Sequence, residues 1–209
     1  MHIQKTNNTS FKAIRLASAE ARFNGAVNKF NLYKITQEDR QYIEKLRNEI
    51  NLKELMPKLK PEDYKLWEYV LRITLSTYDE TILLTKDEKP CGALRYKKTP
   101  RDYSIIGRVT WPIETGKREP FAGKVLTTEL FRLFLQDNLK VIRTCVARHN
   151  PFDTISKCME MGFSSCGGDD YNELMAVTRA RIENVLEKFK DIIIIEDADS
   201  SMDSEVSLQ

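Results

Sequence analysis

The stretch KREPFAGKVLTTELFRLF, residues 117–134, opens as a charged loop, turns through Gly123-Lys124 and runs on as a helix. Leu126, Leu130, Leu133 and Phe134 recur at i, i+4, i+7 and i+8, so one face of that helix is apolar. A glycine at a helix start leaves unpaired backbone N–H groups aimed at whatever lies before it, and the helix dipole favours an anion there. The nucleoside-triphosphate loop does not fit. It needs four residues between its glycines and a Ser or Thr after the lysine, whereas six separate Gly116 from Gly123 and Val125 follows Lys124. The dinucleotide fingerprint needs three glycines, and only Gly123 is well placed. A basic loop suited to some other phosphate-bearing ligand is the functional reading; a solvated turn is the bland one.

Outward from this loop the hydrophobic period changes repeatedly, which predicts a mixed α/β domain with a mostly antiparallel central sheet flanked by helices. NLYKIT (31–36) alternates like a strand, and Thr36 with Asp39 forms a capping box for the helix that follows. PEDYKLWEYVLRITL opens with Pro61 at a tolerated position and places Leu66, Trp67, Val70, Leu71 and Thr74 on one face. TILLTK, CGALRYKK and YSIIGRVTWPI read as a three-strand meander parted by DEKP and TPRD. Beyond residue 134 come a strand, KVIRTCVAR, and a helix with Phe152, Ile155 and Met159 inward and Gly162 as its stop. ELMAVT closes the sheet. Residues 179–195 form an amphipathic helix and an apolar run. Residues 1–30 read as a flexible leader outside the 31–178 domain, and residues 196–209, with five acids and four serines, as a disordered acidic tail.

Composition removes several classes of function. Thirty-three Lys and Arg against 31 Asp and Glu give a net charge of +2 over 209 residues, without the basic concentration of a nucleic-acid binder. No run approaches a membrane span, and no apolar signal core opens the chain. Cys91, Cys145, Cys158 and Cys166 form no C-x-x-C pair, which suits reduced thiols in a cytoplasmic protein. With His149 they match no zinc spacing, so no metal site is expected.

The order of elements, together with two local motifs, resembles the GNAT superfamily of acyl-CoA-dependent N-acyltransferases over residues 31–178. Trp111-Pro-Ile113 stands for the end of the family's central strand. Arg118-Glu-Pro-Phe121-Ala-Gly123 stands for its Arg/Gln-x-x-Gly-x-Gly/Ala loop. Asn150, and the Gly-Phe that ends MEMGF, match the second motif. The resemblance implies that Trp111 and Ile113 offer backbone groups to a pantetheine arm. It further implies that Arg118, Ala122, Gly123 and Lys124 surround a pyrophosphate and that Asn150 contacts the cofactor arm. The co-substrate would be acetyl-CoA and the acceptor an amine, with a homodimer allowed.

Three departures bear on chemistry. Phe121 takes the place of the first loop glycine, where a φ above zero costs a phenylalanine energy. Pro120 removes a backbone donor. Cys158 stands where many members carry the tyrosine that protonates the departing thiolate, so it reads either as that acid or as a buried core thiol. No carboxylate lies within the strand Tyr103 to Ile113, and Glu114 is the nearest candidate base. An N-acetyltransferase, a non-catalytic acyl-CoA-binding module and an interaction protein all remain open.

Overall fold

The computed structural model describes residues 11–117 and 119–198. Strands β1 (Ile14–Phe23) and β2 (Ala26–Ile35) come first, joined at Asn24-Gly25 with both residues at positive φ. This hairpin corrects the expectation of a flexible leader to residue 30, whose first ten residues lie outside the described ones. The inward positions of β1 are Ala17, Ala19 and Ala21, all buried. Alternating alanines carry little strand propensity, which is why the period was weak there. The Asn-Gly pair was the legible signal, since a two-residue turn of that type needs φ above zero twice.

Next come a 3-10 turn (Gln37–Asp39), α1 (Arg40–Glu49), α2 (Leu52–Leu55) and α3 (Pro61–Thr74). Asp39 is fully buried and ties the start of this layer. Its carboxylate accepts the Lys12 and Thr36 N–H groups, each at 2.8 Å, and the Thr36 hydroxyl at 2.9 Å. The expected meander follows as β3 (Glu80–Lys86), β4 (Lys89–Lys98) and β5 (Asp102–Thr110). Then α4 (Ala122–Gln136), β6 (Val141–Ala147), α5 (Thr154–Glu160), β7 (Ser164–Gly168), β8 (Asn172–Thr178), α6 (Arg179–Phe189) and β9 (Ile193–Asp197) complete the chain.

The described strands form a nine-stranded sheet in the order β7-β8-β6-β5-β4-β3-β2-β1-β9, antiparallel at every pairing except β5 with β6. One face packs Val125, Leu126, Leu130, Phe131 and Phe134 of α4 with Ile182 and Phe189 of α6. The other packs Ile43 and Leu46 of α1 with Trp67 and Leu71 of α3. Held between the sheet and α6, α4 is buried over more of its surface than its apolar stripe alone predicted.

Two further expectations change. Met159 is 54% exposed, and the inward residue of α5 is its neighbour Cys158 at 5%. The acidic tail was expected from residue 196, but Glu196 and Asp197 belong to β9 and pair with Ser18 and Ala17 of β1. The three isoleucines of β9 need a strand partner, and β1 offers an open edge. The rest of that tail, 199–209, lies outside the described residues. No helix among the described residues is long and apolar enough to cross a membrane.

Candidate functional site

The parallel pairing of β5 with β6 covers Asp102–Ile105 against Val141–Thr144 and then stops. Beyond that point β5 continues to Thr110 paired with β4, and β6 continues to Ala147 paired with β8. Two neighbouring strands that part in this way leave a wedge in the sheet whose walls carry unpaired backbone groups. The Trp111 N–H donates to the Cys91 carbonyl at 2.9 Å, so Trp111 is turned toward β4. Antiparallel alternation then turns the N–H and C=O of Arg108 and Thr110 toward the wedge. The sequence assigned this role to Trp111 and Ile113. The Trp111 side chain lies in the core on the α3 face, and Ile113 packs half-buried on the opposite face.

The loop leading to α4 follows the end of β5 and is held by the Gly116 N–H donating to the Leu55 carbonyl at 2.8 Å. Phe121 is the N-cap of α4 and sits at φ 65°, ψ −5°, in the left-handed region. A left-handed non-glycine costs about 1–2 kcal/mol. Its ring packs against Phe23 at 5.3 Å between centroids, which offsets part of that cost. The chain therefore adopts the glycine conformation without the glycine. The first helical bond that closes on this cap runs from the Val125 N–H to the Phe121 carbonyl, leaving the amides of Ala122, Gly123 and Lys124 as the orphan donors of a helix start.

The loop's charges are largely spoken for. The Lys124 ammonium is 3.0 Å from Glu160 and lies over the rings of Phe121 and Phe189, so it faces α5 and α6. Glu119, nearly buried, holds Lys86 at 2.5 Å and pins the loop to β3. The Ala122 side chain is buried, so that residue can offer its amide alone. Arg118 lies outside the described residues.

On the far wall, Asn150 is engaged locally. Its Oδ1 accepts the Phe152 N–H at 2.9 Å, and Phe152 then packs edge-on to Trp67 at 4.9 Å. Glu114 is 72% exposed in the Glu114–Lys117 turn and pairs with Lys117 at 3.6 Å. Cys158 is buried on α5, and burial pushes its thiol pKa above the ordinary value despite the opposing charge of Arg108. A buried thiol of raised pKa gives up a proton less readily than an exposed one.

Sequence reasoning missed Arg108. From β5 its guanidinium donates through Nη1 to the Thr127 hydroxyl on α4 at 2.6 Å, and its Nη2 lies 4.0 Å from Cys158 Sγ. Thr127 passes the bond on to the Gly123 carbonyl at 2.9 Å. A chain of contacts thus joins the helix start, the wedge and α5. The signal was an arginine inside the largely apolar run Ile105-Ile-Gly-Arg-Val-Thr-Trp111, in which Val109 and Trp111 are buried.

Native thiol titration checks this placement. Cys145 and Cys166 are exposed, Cys91 and Cys158 buried, and no disulfide joins them. Two thiols should react rapidly in the folded protein and four after denaturation. Burst labelling of Cys158 in the native protein would contradict its burial.

No protein-family model matches the sequence. No curated protein matches it either. Among solved structures, the chain is similar to the PaiA N-acetyltransferase of Thermoplasma acidophilum in complex with coenzyme A. That pair shares 18% identity over 71% of this chain and 98% of the other, with a TM-score of 0.50. It is similar to FdhC, a nucleotide-linked sugar GNAT, at 14% identity over 88% and 98% of the two chains, with a TM-score of 0.53. A Bacillus halodurans protein of uncharacterized role gives 14% identity over 85% and 98%, with a TM-score of 0.54. At these identities the likeness establishes the fold: a mixed α+β architecture of the GNAT type.

Proposed function

We propose that the chain is an acyl-CoA-dependent N-acyltransferase that moves an acetyl group from acetyl-CoA to an amine of a small molecule or protein. The observation that carries this reading is the wedge between β5 and β6, which opens beside a helix start whose cap, Phe121, holds a left-handed conformation. Strain of this kind persists where the surroundings impose it, and it aims the orphan amides of Ala122, Gly123 and Lys124 at one point. A pyrophosphate there would let the pantetheine arm run down the wedge, hydrogen-bonding Thr110 and Arg108 backbone groups as a missing strand would.

In this reading the amine must shed a proton before it attacks, because an ammonium of pKa about 10.4 has no free pair. Glu114 is the carboxylate nearest the strand end and would act through water, given its exposure. Attack on the thioester carbon puts charge on the carbonyl oxygen, which the Thr110 N–H at the wedge wall is placed to stabilise. The C–S bond then breaks, its electron pair leaves on sulfur, and the nitrogen gives up its second proton to solvent. Cys158 is the candidate proton donor to that thiolate. Its raised pKa works against the role and favours a second reading, a module that binds acyl-CoA without turning it over.

Calorimetric titration with acetyl-CoA, followed by thiol release with a panel of amines, separates the two. Gly123→Asp is the informative variant. A Cβ at Gly123 meets nothing nearer than Thr110 Cγ2 at 4.0 Å, so the side chain fits, and an acid in a first helical turn favours the helix. The variant should melt at the wild-type temperature while its Kd for CoA rises about tenfold or more, the scale of a lost charge-assisted contact. An unchanged Kd would remove this loop from the site.

A further inference from the structure

Most half-buried cations of the fold meet a carboxylate, whereas Arg108, like Arg47, has none within ion-pair distance among the described residues. Lys86 meets Glu119, Arg95 meets Asp79, Lys124 meets Glu160, and Arg132 meets Glu129 and Asp197. Arg179, beside none of these, gives its guanidinium to the carbonyls of Leu135, Leu139 and Asp137. Arg108 has a hydroxyl and a thiol as its partners, and among the described residues no carboxylate lies within ion-pair distance. Taking a charge partly out of water without an opposite charge is costly, and an anion not supplied by the chain would relieve that cost at Arg108.

The place and the geometry narrow what that is. Arg108 lies three residues past Ile105, the last residue of β5 paired with β6, so its backbone lines the wedge while its side chain runs onto the α4 and α5 face to Thr127 and Cys158. Thr127 engages Nη1 and fixes the plane of the guanidinium. Nε has no hydrogen-bond partner among the described residues and Nη2 has only the Cys158 sulfur at 4.0 Å, so the Nε–Nη2 fork, which can bind a planar carboxylate through two parallel hydrogen bonds, is held by nothing stronger than that contact. A departing thiolate offers one sulfur atom and cannot use the fork.

We infer that Arg108 recognises a carboxylate in the wedge between β5 and β6. Its source, which rests on the acyl-transfer reading, is either the far carboxylate of a dicarboxylic acyl group or the carboxylate of an amino-acid acceptor. The Cys158 sulfur borders the guanidinium at Nη2, and Thr127 links it to the helix start at Gly123.

Two matched substrate pairs separate the sources. Acetyl-CoA against succinyl-CoA, with one amine, varies the carboxylate on the donor. Lysine against 1,5-diaminopentane, with one acyl donor, varies it on the acceptor. In the wild-type protein one pair should show a KM about ten- to a hundredfold lower for the carboxylate-bearing member, the range of a charge-assisted bidentate contact. Arg108→Gln should abolish that preference. Should that variant fail to fold, Arg108→Lys, which keeps the charge and loses the fork, should lose about tenfold of the preference. A readout independent of CoA is the Nε–Hε resonance of Arg108, assigned by its disappearance in Arg108→Gln. Succinate should shift it and succinamide should not. If CoA fails to bind while succinate still shifts the resonance, the acyl-transfer reading falls and carboxylate recognition stands. If succinate leaves the resonance unmoved and neither pair discriminates between wild type and Arg108→Gln, the inference is overturned.

Discussion

Gly107→Ala is expected to destabilise the protein by about 2–3 kcal/mol, which for a chain of this size lowers the melting temperature by about 4–12 °C. A Cβ at residue 107 would lie 2.2 Å from Thr74 Oγ1, 3.3 Å from Thr74 Cβ and 3.5 Å from Ile73 Cγ1. Rotating Thr74 brings little relief, because a β-branched side chain has two heavy atoms to place and its hydroxyl is held by the Val70 carbonyl at 2.7 Å. The last turn of α3 must therefore back away from β5. Gly107→Ala combined with Thr74→Ala removes the offending oxygen and leaves a 3.3 Å contact that small shifts accommodate. The double variant should be less destabilised than the sum of the two single ones, a coupling of about 1 kcal/mol or more in thermal or urea unfolding. Additivity would mean that α3 and β5 do not meet here. Gly107 also precedes Arg108, so a displaced β5 should weaken binding in the wedge along with stability.

The alternation of TILLTK, CGALRYKK and YSIIGRVTWPI made the meander legible, and the stripe from Leu126 to Phe134 made α4 legible. Both signals come from side chains that are large, apolar and regularly spaced. Where the inward residues are small, as with Ala17, Ala19 and Ala21, the period carries little amplitude and β1 passed for a leader. Topology was legible in outline, through the GNAT resemblance, but the wedge depends on where a parallel ladder ends, and Ile105 and Thr144 carry no mark of it. The loop was located correctly as the start of α4, while the direction of its charges was not. Lys124 turns to Glu160 because α5 places an acid within reach, a fact of packing between distant segments. Arg108 was visible as a charge in a largely apolar run; its lack of a carboxylate partner needed three dimensions.

Ending the chain at Asp191 is expected to cost about 4–6 kcal/mol, enough to leave a protein of ordinary stability largely unfolded or aggregated at 37 °C. The deletion removes all of β9. Ile193 is 4% exposed, and burying one isoleucine is worth about 1.5–3 kcal/mol, to which the half-buried Ile192, Ile194 and Ile195 each add a part. It also strips β1 of five paired residues, Ala17 to Ala21, and of two flanking bonds, from the Arg22 N–H to the Ile192 carbonyl and from the Ala198 N–H to the Leu16 carbonyl. Strand β1 then becomes an open edge with small, flat inward residues, the type of edge that recruits other chains. Ending the chain at Ala198 keeps each of those pairs and the Arg132–Asp197 contact at 2.7 Å, and should leave the melting temperature where it was. Ending it after Ile195 is the sharper comparison, because it keeps the buried isoleucine and removes Asp197. Arg132 would then retain Glu129 alone, and the loss should stay within about 1 kcal/mol, as exposed ion pairs and frayed strand ends contribute little. Thermal melting of the three truncations reads the series directly. Equal stability of the first and last would show that the isoleucines of β9 do not hold the sheet edge, and with it would fall the assignment of this segment as a ninth strand.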